Sequence, residues 1–296
     1  MIQHIEVRPA RAEDRETILA FCVNTWEWGD YVQHVWEQWL TDEAHGQLLV
    51  ATVDEQPAGI LHLQMLSETQ GWLEGLRVDP QYRQRGLARE MNMAAIAEAM
   101  RRGAKIVRLV THYGNERSIH ISESNYMRRV GVFALYQAAP LARAASEHGP
   151  EKTQLATLED LEAIIHHLNG SNIFPTTGGL YYVGFAAQEI SETFLRAKIV
   201  AQQIYLLRRW ERIDGLAIAE PREENEQQRL SVGYIDGTAI EPISLIAYDL
   251  RRRLAEMELD AIRMYAPDMV FVNDALGGID YETKGEIFYT YERILE

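Results

Sequence analysis

A glycine- and arginine-rich turn within residues 75–91 (GLRVDPQYRQRGLAREM) is the segment whose residue types best suit chemistry. The pattern predicts a strand that ends at Val78, a break at Asp79-Pro80, and a turn that leads directly into a helix. Gly86 lets the backbone approach a ligand closely, and Ala88 is too small to block one. The first helical amides suit an anion. The segment therefore predicts a pyrophosphate-binding loop.

The same residues carry a family resemblance. Residues 76–88 (LRVDPQYRQRGLA) resemble the acetyl-coenzyme A motif of the GCN5-related N-acetyltransferase (GNAT) superfamily, through Val-Asp-Pro and Arg-x-x-Gly-x-Ala. The resemblance spans roughly residues 5–135 and implies loop amides that hold the coenzyme pyrophosphate and a strand that pairs with the pantetheine arm. It assigns coenzyme contacts to Leu76, Val78, Arg83, Gln84, Arg85, Gly86, Leu87, Ala88, Arg89 and, in the next motif, Asn115.

Acetyl transfer to an amine needs a base, donors for the oxyanion, and an acid for the leaving thiolate. Glu74 shares a strand face with Leu76 and Val78, and the resemblance implies that a carboxylate in this strand acts as the base. The alternative is a surface glutamate without a catalytic role. For the acid, Tyr126 has the better chemistry, whereas Ser122 lies at the position that the family register indicates.

An aromatic segment at residues 25–40 (TWEWGDYVQHVWEQWL) holds four of the six tryptophans. In the layout of the family, this region lines the acceptor pocket. Trp26, Trp28 and Tyr31 are therefore predicted to bind a cationic or apolar acceptor, whereas the helical spacing of Trp36 and Trp39 predicts core positions. Helix packing by the whole segment is the alternative.

The second half of the chain repeats the pattern of the first. Residues 5–21 and 153–168 both predict a short strand, an acidic turn and a helix, and residues 47–64 and 203–220 both predict a hairpin, with turns at 56–59 and 214–215. We predict an α+β fold of two GNAT-like domains in tandem, each a mostly antiparallel twisted sheet flanked by helices. The predicted boundaries are 1–140 for the first domain, 141–152 for a linker and 153–296 for the second domain.

The second copy lacks the phosphate loop. Residues 233–250 (GYIDGTAIEPISLIAYDL) place Glu241 where a cation would help, and an acidic residue there opposes pyrophosphate binding. We therefore expect a degenerate copy that does not hold coenzyme. Residues 172–184 (NIFPTTGGLYYVG) read as a loop that caps a cleft or connects two helices.

Composition narrows the function classes. The formal net charge is −15, of which residues 1–150 contribute −4 and residues 151–296 contribute −11. Strong acidity argues against nucleic acid as a partner, and no apolar run reaches the ~18 residues of a membrane span.

Cys22, the one cysteine, lies on the apolar face of a predicted helix and is a poor acyl carrier. We expect a cytoplasmic N-acetyltransferase that uses acetyl-CoA as co-substrate, no metal, and a small-molecule or peptide amine as acceptor. A catalytically weak acyl-CoA sensor is the alternative function, and a homodimer is one possible assembly.

Overall fold

The computed structural model describes residues 4–23, 25, 29–141, 152–224 and 227–295. The chain divides into two compact units: unit 1 is Met1–Arg129 with Thr290–Glu296, and unit 2 is Val130–Tyr289. The predicted domains 1–140 and 153–296 stay predictions. The predicted linker 141–152 lies almost wholly outside the described residues and stays a prediction.

Unit 1 begins with strands and helices in the predicted order. Its elements are β1 (Ile5–Pro9), α1 (Arg15–Cys22), α2 (Val32–Thr41), β2 (Gly46–Val53), β3 (Gln56–Ser67), β4 (Gln70–Val78), α3 (Leu87–Arg101), β5 (Ile106–His112) and α4 (Glu116–Ser124).

Unit 2 contains most of the remaining elements. They are β6 (Arg128–Ala138), β7 (Gln154–Leu155), α5 (Leu161–Gly170), β8 (Leu180–Val183), β9 (Ala186–Glu189), α6 (Glu192–Val200), β10 (Ile204–Arg209), β11 (Arg212–Glu224), β12 (Gln227–Gly237), α7 (Ile240–Glu256), β13 (Ala261–Pro267), α8 (Val270–Gly277) and β14 (Glu282–Ile294). The last residues of β14 belong to unit 1.

Each unit is built on one mostly antiparallel sheet. In unit 1 the order is β1-β2-β3-β4-β5, followed by the end of β14, and β4 and β5 are parallel. In unit 2 the order is β7-β10-β11-β12-β13-β6, followed by the start of β14, and β12 and β13 are parallel. The predicted α+β class with a mostly antiparallel sheet in each unit is confirmed.

The core of unit 1 on one side of its sheet is formed by α1 and α2. Ile18, Trp36 and Trp39 pack there with Val50 and Ile60 from β2 and β3. Trp36 is fully buried and Trp39 is 6% exposed, which confirms that both are core residues. Burying these large aromatic side chains stabilises the packing of α2 on the sheet.

The two parallel strands of unit 1 separate after a short ladder. Residues Gln70, Gly71 and Trp72 of β4 pair with Ile106, Val107 and Arg108 of β5, and the ladder ends there. β4 continues to Val78 and β5 to His112, so the second half of β4 lies beyond the ladder that the described residues form with β5. This separation leaves backbone groups of β4 available to a ligand.

The repeated hairpins are confirmed, but their turns were predicted wrongly. The turns lie at Asp54-Glu55 and Trp210-Glu211, where all four residues have positive φ. These residues, rather than glycine, adopt the left-handed conformations that a tight hairpin turn requires.

Gly59 and Gly215, which suggested the turns, lie within strands under helices. A Cβ at Gly59 would lie 2.6 Å from Cε of Met91 in α3, and one at Gly215 would overlap Ile246 in α7. Both glycines therefore allow a helix to approach the sheet closely.

Among the described residues, no helix combines the length and apolar character needed to cross a bilayer.

Candidate active site

The loop between β4 and α3 is held in a defined conformation. The carboxylate of Asp79 accepts a hydrogen bond from the Gln81 amide at 2.9 Å. Gln84 and Gly86 follow with φ of 62° and 86°, and α3 begins at the next residue. A Cβ at Gly86 would meet no atom within 4 Å. The start of α3, whose first amides have no partner within the helix, is therefore accessible to a ligand.

Three arginines surround this helix start and are exposed. Arg83 Nε lies 3.4 Å from a carbonyl oxygen at the end of β4, and Arg85 Nη2 donates to the carbonyl of Gln81 at 3.1 Å. Arg89 lies on the first turn of α3. Their positive charge adds to the positive end of the helix dipole, so the loop is suited to an anion.

The other predicted loop residues differ in what they expose. Gln84 is exposed and Ala88 is half-buried, whereas Leu87 is 2% exposed. Because the side chain of Leu87 packs inward, only its backbone is available to a ligand. Leu76 and Val78 lie on the half of β4 beyond the ladder with β5, and both are half-buried.

Glu74 is paired with a histidine that sequence reasoning missed. Its Oε1 atom accepts a hydrogen bond from Nδ1 of His62 at 2.9 Å, across the β3–β4 ladder. The Glu74 side chain is 27% exposed and that of His62 is 3% exposed. Glu74 is therefore a partly accessible carboxylate with a buried hydrogen-bond donor behind it.

A stack of aromatic rings adjoins this pair. Trp39 lies parallel to the His62 ring at a centroid distance of 4.5 Å, and Tyr31 meets Trp39 edge to face at 5.9 Å. Gly75 has φ of 71° and lies under Trp39, because a Cβ there would be 2.6 Å from the indole. Trp39 thus contacts both His62 and Tyr31, a predicted acceptor residue.

A buried ion pair holds the far end of this stack. Arg77 Nε donates to Oδ2 of Asp30 at 2.7 Å, and its guanidinium lies 5.4 Å from the centroid of the Tyr31 ring. Burial alone would raise the pKa of the Asp30 carboxyl, but hydrogen bonds from Arg77 and from the Val32 amide lower it below its usual range. Burial raises the pKa of Tyr31 to about 12, so this side chain stays a phenol at neutral pH.

Tyr31 is therefore connected to the Glu74 pair through Trp39. The other two predicted acceptor residues, Trp26 and Trp28, lie outside the described residues. In the part of the chain that the structure describes, no three His, Cys, Asp or Glu side chains come together as a metal-ion site.

Comparisons with known proteins identify the family of this part of the chain. Residues 12–124 match the model of the acetyltransferase (GNAT) family. They form a GNAT domain. For these residues the predicted superfamily is confirmed. None of the curated proteins is a significant match to the sequence.

Solved structures extend the likeness to the whole chain. A putative acetyltransferase from Thermoplasma acidophilum has 15% identity and a TM-score of 0.57, with 98% of this chain and 100% of that one covered. A GCN5-related N-acetyltransferase from Sphaerobacter thermophilus has 10% identity and a TM-score of 0.60, with 98% and 95% covered. A tandem GNAT protein from the clavulanic acid biosynthesis pathway has 13% identity and a TM-score of 0.50, with 98% of each chain covered. The chain therefore has the tandem GNAT fold.

The two predicted acid residues lie in different environments on the GNAT domain. Ser122 is 1% exposed, and its hydroxyl donates to the carbonyl of Ser118 one helical turn earlier. Tyr126 is 79% exposed and has φ of 60°. Within the described residues, neither hydroxyl hydrogen-bonds to Glu74 or His62. The structure brings neither residue to the carboxylate, and the assignment of the acid stays a prediction.

Asn115 caps α4. Its Oδ1 accepts a hydrogen bond from the Ser118 amide at 3.2 Å, so the residue has a structural role at the helix start. Its coenzyme contact stays a prediction.

The end of β14 supports the same part of unit 1. Glu292 forms a buried ion pair with Arg108 of β5 at 2.8 Å, and the Tyr291 hydroxyl donates to Glu123 of α4 at 3.1 Å. Arg293 donates to the carbonyl of Asn125, next to Tyr126. The end of β14 thus holds α4 in place.

In unit 2, the helix start that corresponds to the phosphate loop is occupied by an ion pair. Glu241 lies in the first turn of α7 and accepts two hydrogen bonds from Arg209, both at 3.0 Å. The hydrogen bonds from Arg209 hold the pKa of Glu241 below its usual range. A carboxylate at this helix start repels a phosphate and competes with it for the arginine.

Aromatic side chains fill the separation between β12 and β13. The ladder between these strands ends at Val232, and a Cβ at the next residue, Gly233, would overlap the backbone of Tyr182 in β8. Tyr182 packs in turn against Tyr265 of β13 and Phe133 of β6. The segment 172–184, predicted as a loop, therefore contains strand β8. This strand lies over the part of unit 2 that corresponds to the second half of β4 in unit 1.

Proposed function

We propose that the GNAT domain transfers an acetyl group from acetyl-CoA to a primary amine of a small molecule or peptide by direct attack. The observation that carries this proposal is the position of Glu74, a partly exposed carboxylate two residues before Leu76, at the point where β4 separates from β5. In the proposed mechanism, acetyl-CoA supplies the thioester carbonyl carbon that the amine attacks.

The chain supplies binding at two places. The amides at the start of α3, beside Gly86, and the side chains of Arg83, Arg85 and Arg89 hold the pyrophosphate. Leu76 and Val78, on the half of β4 beyond its ladder with β5, offer backbone groups to the pantetheine arm. The amide of either residue is the proposed donor to the oxyanion that forms at the carbonyl.

Glu74 removes a proton from the ammonium of the acceptor. The neutral amine then attacks the carbonyl carbon to form a C–N bond and a tetrahedral oxyanion. As this intermediate collapses, the C–S bond breaks, the nitrogen loses its remaining extra proton to solvent, and the thiolate takes a proton from an acid, for which Tyr126 ranks before Ser122. An acyl-cysteine intermediate has no support, because Cys22 is buried and burial raises its pKa to about 12. Only the thiolate is a nucleophile, so the acetyl group passes directly to the amine.

The acceptor site favours a cation. The carboxylate of Glu74 attracts an ammonium, and Tyr31, a predicted acceptor residue, offers an aromatic ring that suits a cation or an apolar substituent. We infer an amine acceptor from this combination, with the rest of its structure left to an assay.

Thiol release from acetyl-CoA across a panel of amines tests the function, with Glu74→Gln as the variant. Loss of the base should lower kcat by about 10²- to 10⁴-fold with little change in acetyl-CoA binding. Glu68→Gln, which changes an exposed glutamate in the turn before β4, is the matched control. Binding of acetyl-CoA without turnover of any amine would instead favour a sensor, and full activity of Glu74→Gln would exclude this residue as the base.

A further inference from the structure

His62 faces Glu74 directly in the sheet. The two residues are paired across β3 and β4, and their side chains are joined by the 2.9 Å contact between Nδ1 and Oε1. Because a carboxylate only accepts hydrogen bonds, the hydrogen lies on Nδ1 of His62. The bond therefore selects the imidazole tautomer that has its hydrogen on Nδ1. It also engages one of the two oxygens of Glu74, Oε1.

The imidazole is fixed from two sides. Trp39 is stacked on one face of the ring at an interplanar angle of 13°. Gly46 of β2 lies against its far edge, since a Cβ at Gly46 would be 2.8 Å from Nε2. Nε2 has no hydrogen-bond partner among the described residues, so the ring's single polar contact there is the one to Glu74. A ring held in this way cannot turn away from the carboxylate without displacing a strand or a tryptophan.

The fixed ring in turn fixes the carboxylate. With Oε1 held by the imidazole, Oε2 of Glu74 is the oxygen left to accept a proton from the acceptor ammonium. A base of this kind works best when its orientation is set before the substrate arrives, because less conformational freedom is lost at the transition state.

We propose that His62 is a positioning residue for the reaction: it holds Glu74 in the rotamer in which the carboxylate meets the acceptor amine. The inference rests on the proposed function, in which Glu74 is the base. His62 acts through Glu74 and touches neither the acceptor nor the thioester.

The test compares three substitutions that differ in where they place a donor. His62→Asn offers an amide N–H near the position of Nδ1, His62→Gln offers one near the position of Nε2, and His62→Ala offers none. We expect His62→Ala and His62→Gln to lower kcat about 10- to 100-fold, the loss that follows from one hydrogen bond to a charged group, with KM for acetyl-CoA within about twofold. His62→Asn should recover most of kcat. Equal kcat in all three variants would overturn the proposal.

A second measurement does not depend on activity. The ¹⁵N and ¹H resonances of His62 should show the hydrogen on Nδ1 in the wild-type protein, and Glu74→Gln should change the Nδ1–H shift. A wild-type imidazole with its hydrogen on Nε2 and none on Nδ1 would overturn the proposal even if a variant fails to fold.

The two proposals fail in different ways. If Glu74→Gln keeps full activity, the proposed function of Glu74 fails, whatever His62 does. If Glu74→Gln is inactive while His62→Ala keeps wild-type kcat, the base assignment stands and only the role of His62 fails.

Discussion

Arg108 and Glu292 are 184 residues apart in the chain and form a buried ion pair in unit 1. Their side chains are 4% and 9% exposed, and Arg108 also donates to Gln70 of β4 at 2.8 Å. The pair therefore attaches the end of β14 to the strands that carry the candidate active site. Glu292 also contacts Arg128 at 3.3 Å, whereas removal of Glu292 leaves the Arg108 charge buried without its counter-ion.

We expect Glu292→Ala to lower the free energy of unfolding of unit 1 by about 3–5 kcal/mol, because Arg108 stays buried and unpaired. Urea denaturation followed by circular dichroism measures the change. The double variant Arg108→Met with Glu292→Leu should recover most of the loss, because no buried charge remains. Glu192→Ala, which breaks an exposed pair with Arg196, is the control and should cost less than about 1 kcal/mol. Equal effects of the two single variants would contradict the importance of burial.

We expect one acetyl-CoA to bind per chain and Gly86→Glu to abolish that binding. The substitution places a negative side chain in the open space above the phosphate loop and strains a residue with φ of 86°. Isothermal titration calorimetry gives both affinity and stoichiometry. Gly285→Glu is the matched control, because Gly285 also has positive φ, 71°, and open space around its Cβ position. A stoichiometry of two would contradict the filled site of unit 2.

Unit 2 should lose stability in acid through Asp249. Burial alone would raise the pKa of this carboxyl, but hydrogen bonds from Thr153, Arg253 and Arg252 lower it below its usual range. A carboxyl with a lowered pKa in the folded state stabilises the fold above its unfolded pKa of about 3.9, and that stability is lost as the pH falls through the lower folded value.

Asp249→Asn should therefore lower the free energy of unfolding of unit 2 at pH 7 by about 3–5 kcal/mol, since it leaves Arg252 without its buried partner. The difference between wild type and variant should shrink as the pH falls below about 4. Urea denaturation at a series of pH values measures this. A difference that stays constant down to pH 2 would show that the carboxylate charge is not the source of the stability.

Cys22 should be unreactive in the folded protein. It is 2% exposed, and burial raises its pKa to about 12, so the thiolate is scarce at neutral pH. We expect a thiol reagent to label Cys22 only after denaturation, and Cys22→Ala to keep wild-type kcat. Loss of turnover in a folded Cys22→Ala protein would instead indicate an acyl-cysteine and contradict direct attack.

Local sequence was enough to predict the strand–turn–helix conformation of residues 75–91 and the class of the fold. Gly86 has a left-handed φ in a short loop between a strand and a helix. A glycine between a strand pattern and a helix pattern can be recognised from the adjacent residues alone. The repeat was also visible, although the turns at Asp54 and Trp210 were not, because residues other than glycine adopt the left-handed conformation there.

The partner of Glu74 was not predictable in the same way. A regular two-residue turn from the Ser67–Gln70 pair would place Leu63 opposite Glu74, but an irregularity between Met65 and Ser67 shifts the register by one residue and brings His62 there. A shift of one residue reverses which face a side chain takes. No local pattern in the sequence signals that shift.

The sequence by itself determined the short-range features: the glycine- and arginine-rich turn before α3, the hairpins, the aromatic segment and the acidic residue at the start of α7. The tertiary structure alone decided which distant residues meet, namely His62 with Glu74, Glu292 with Arg108, and Tyr182 with Gly233. The physical reason is that backbone propensities and turn chemistry act over a few residues, whereas strand register and side-chain packing depend on the whole sheet.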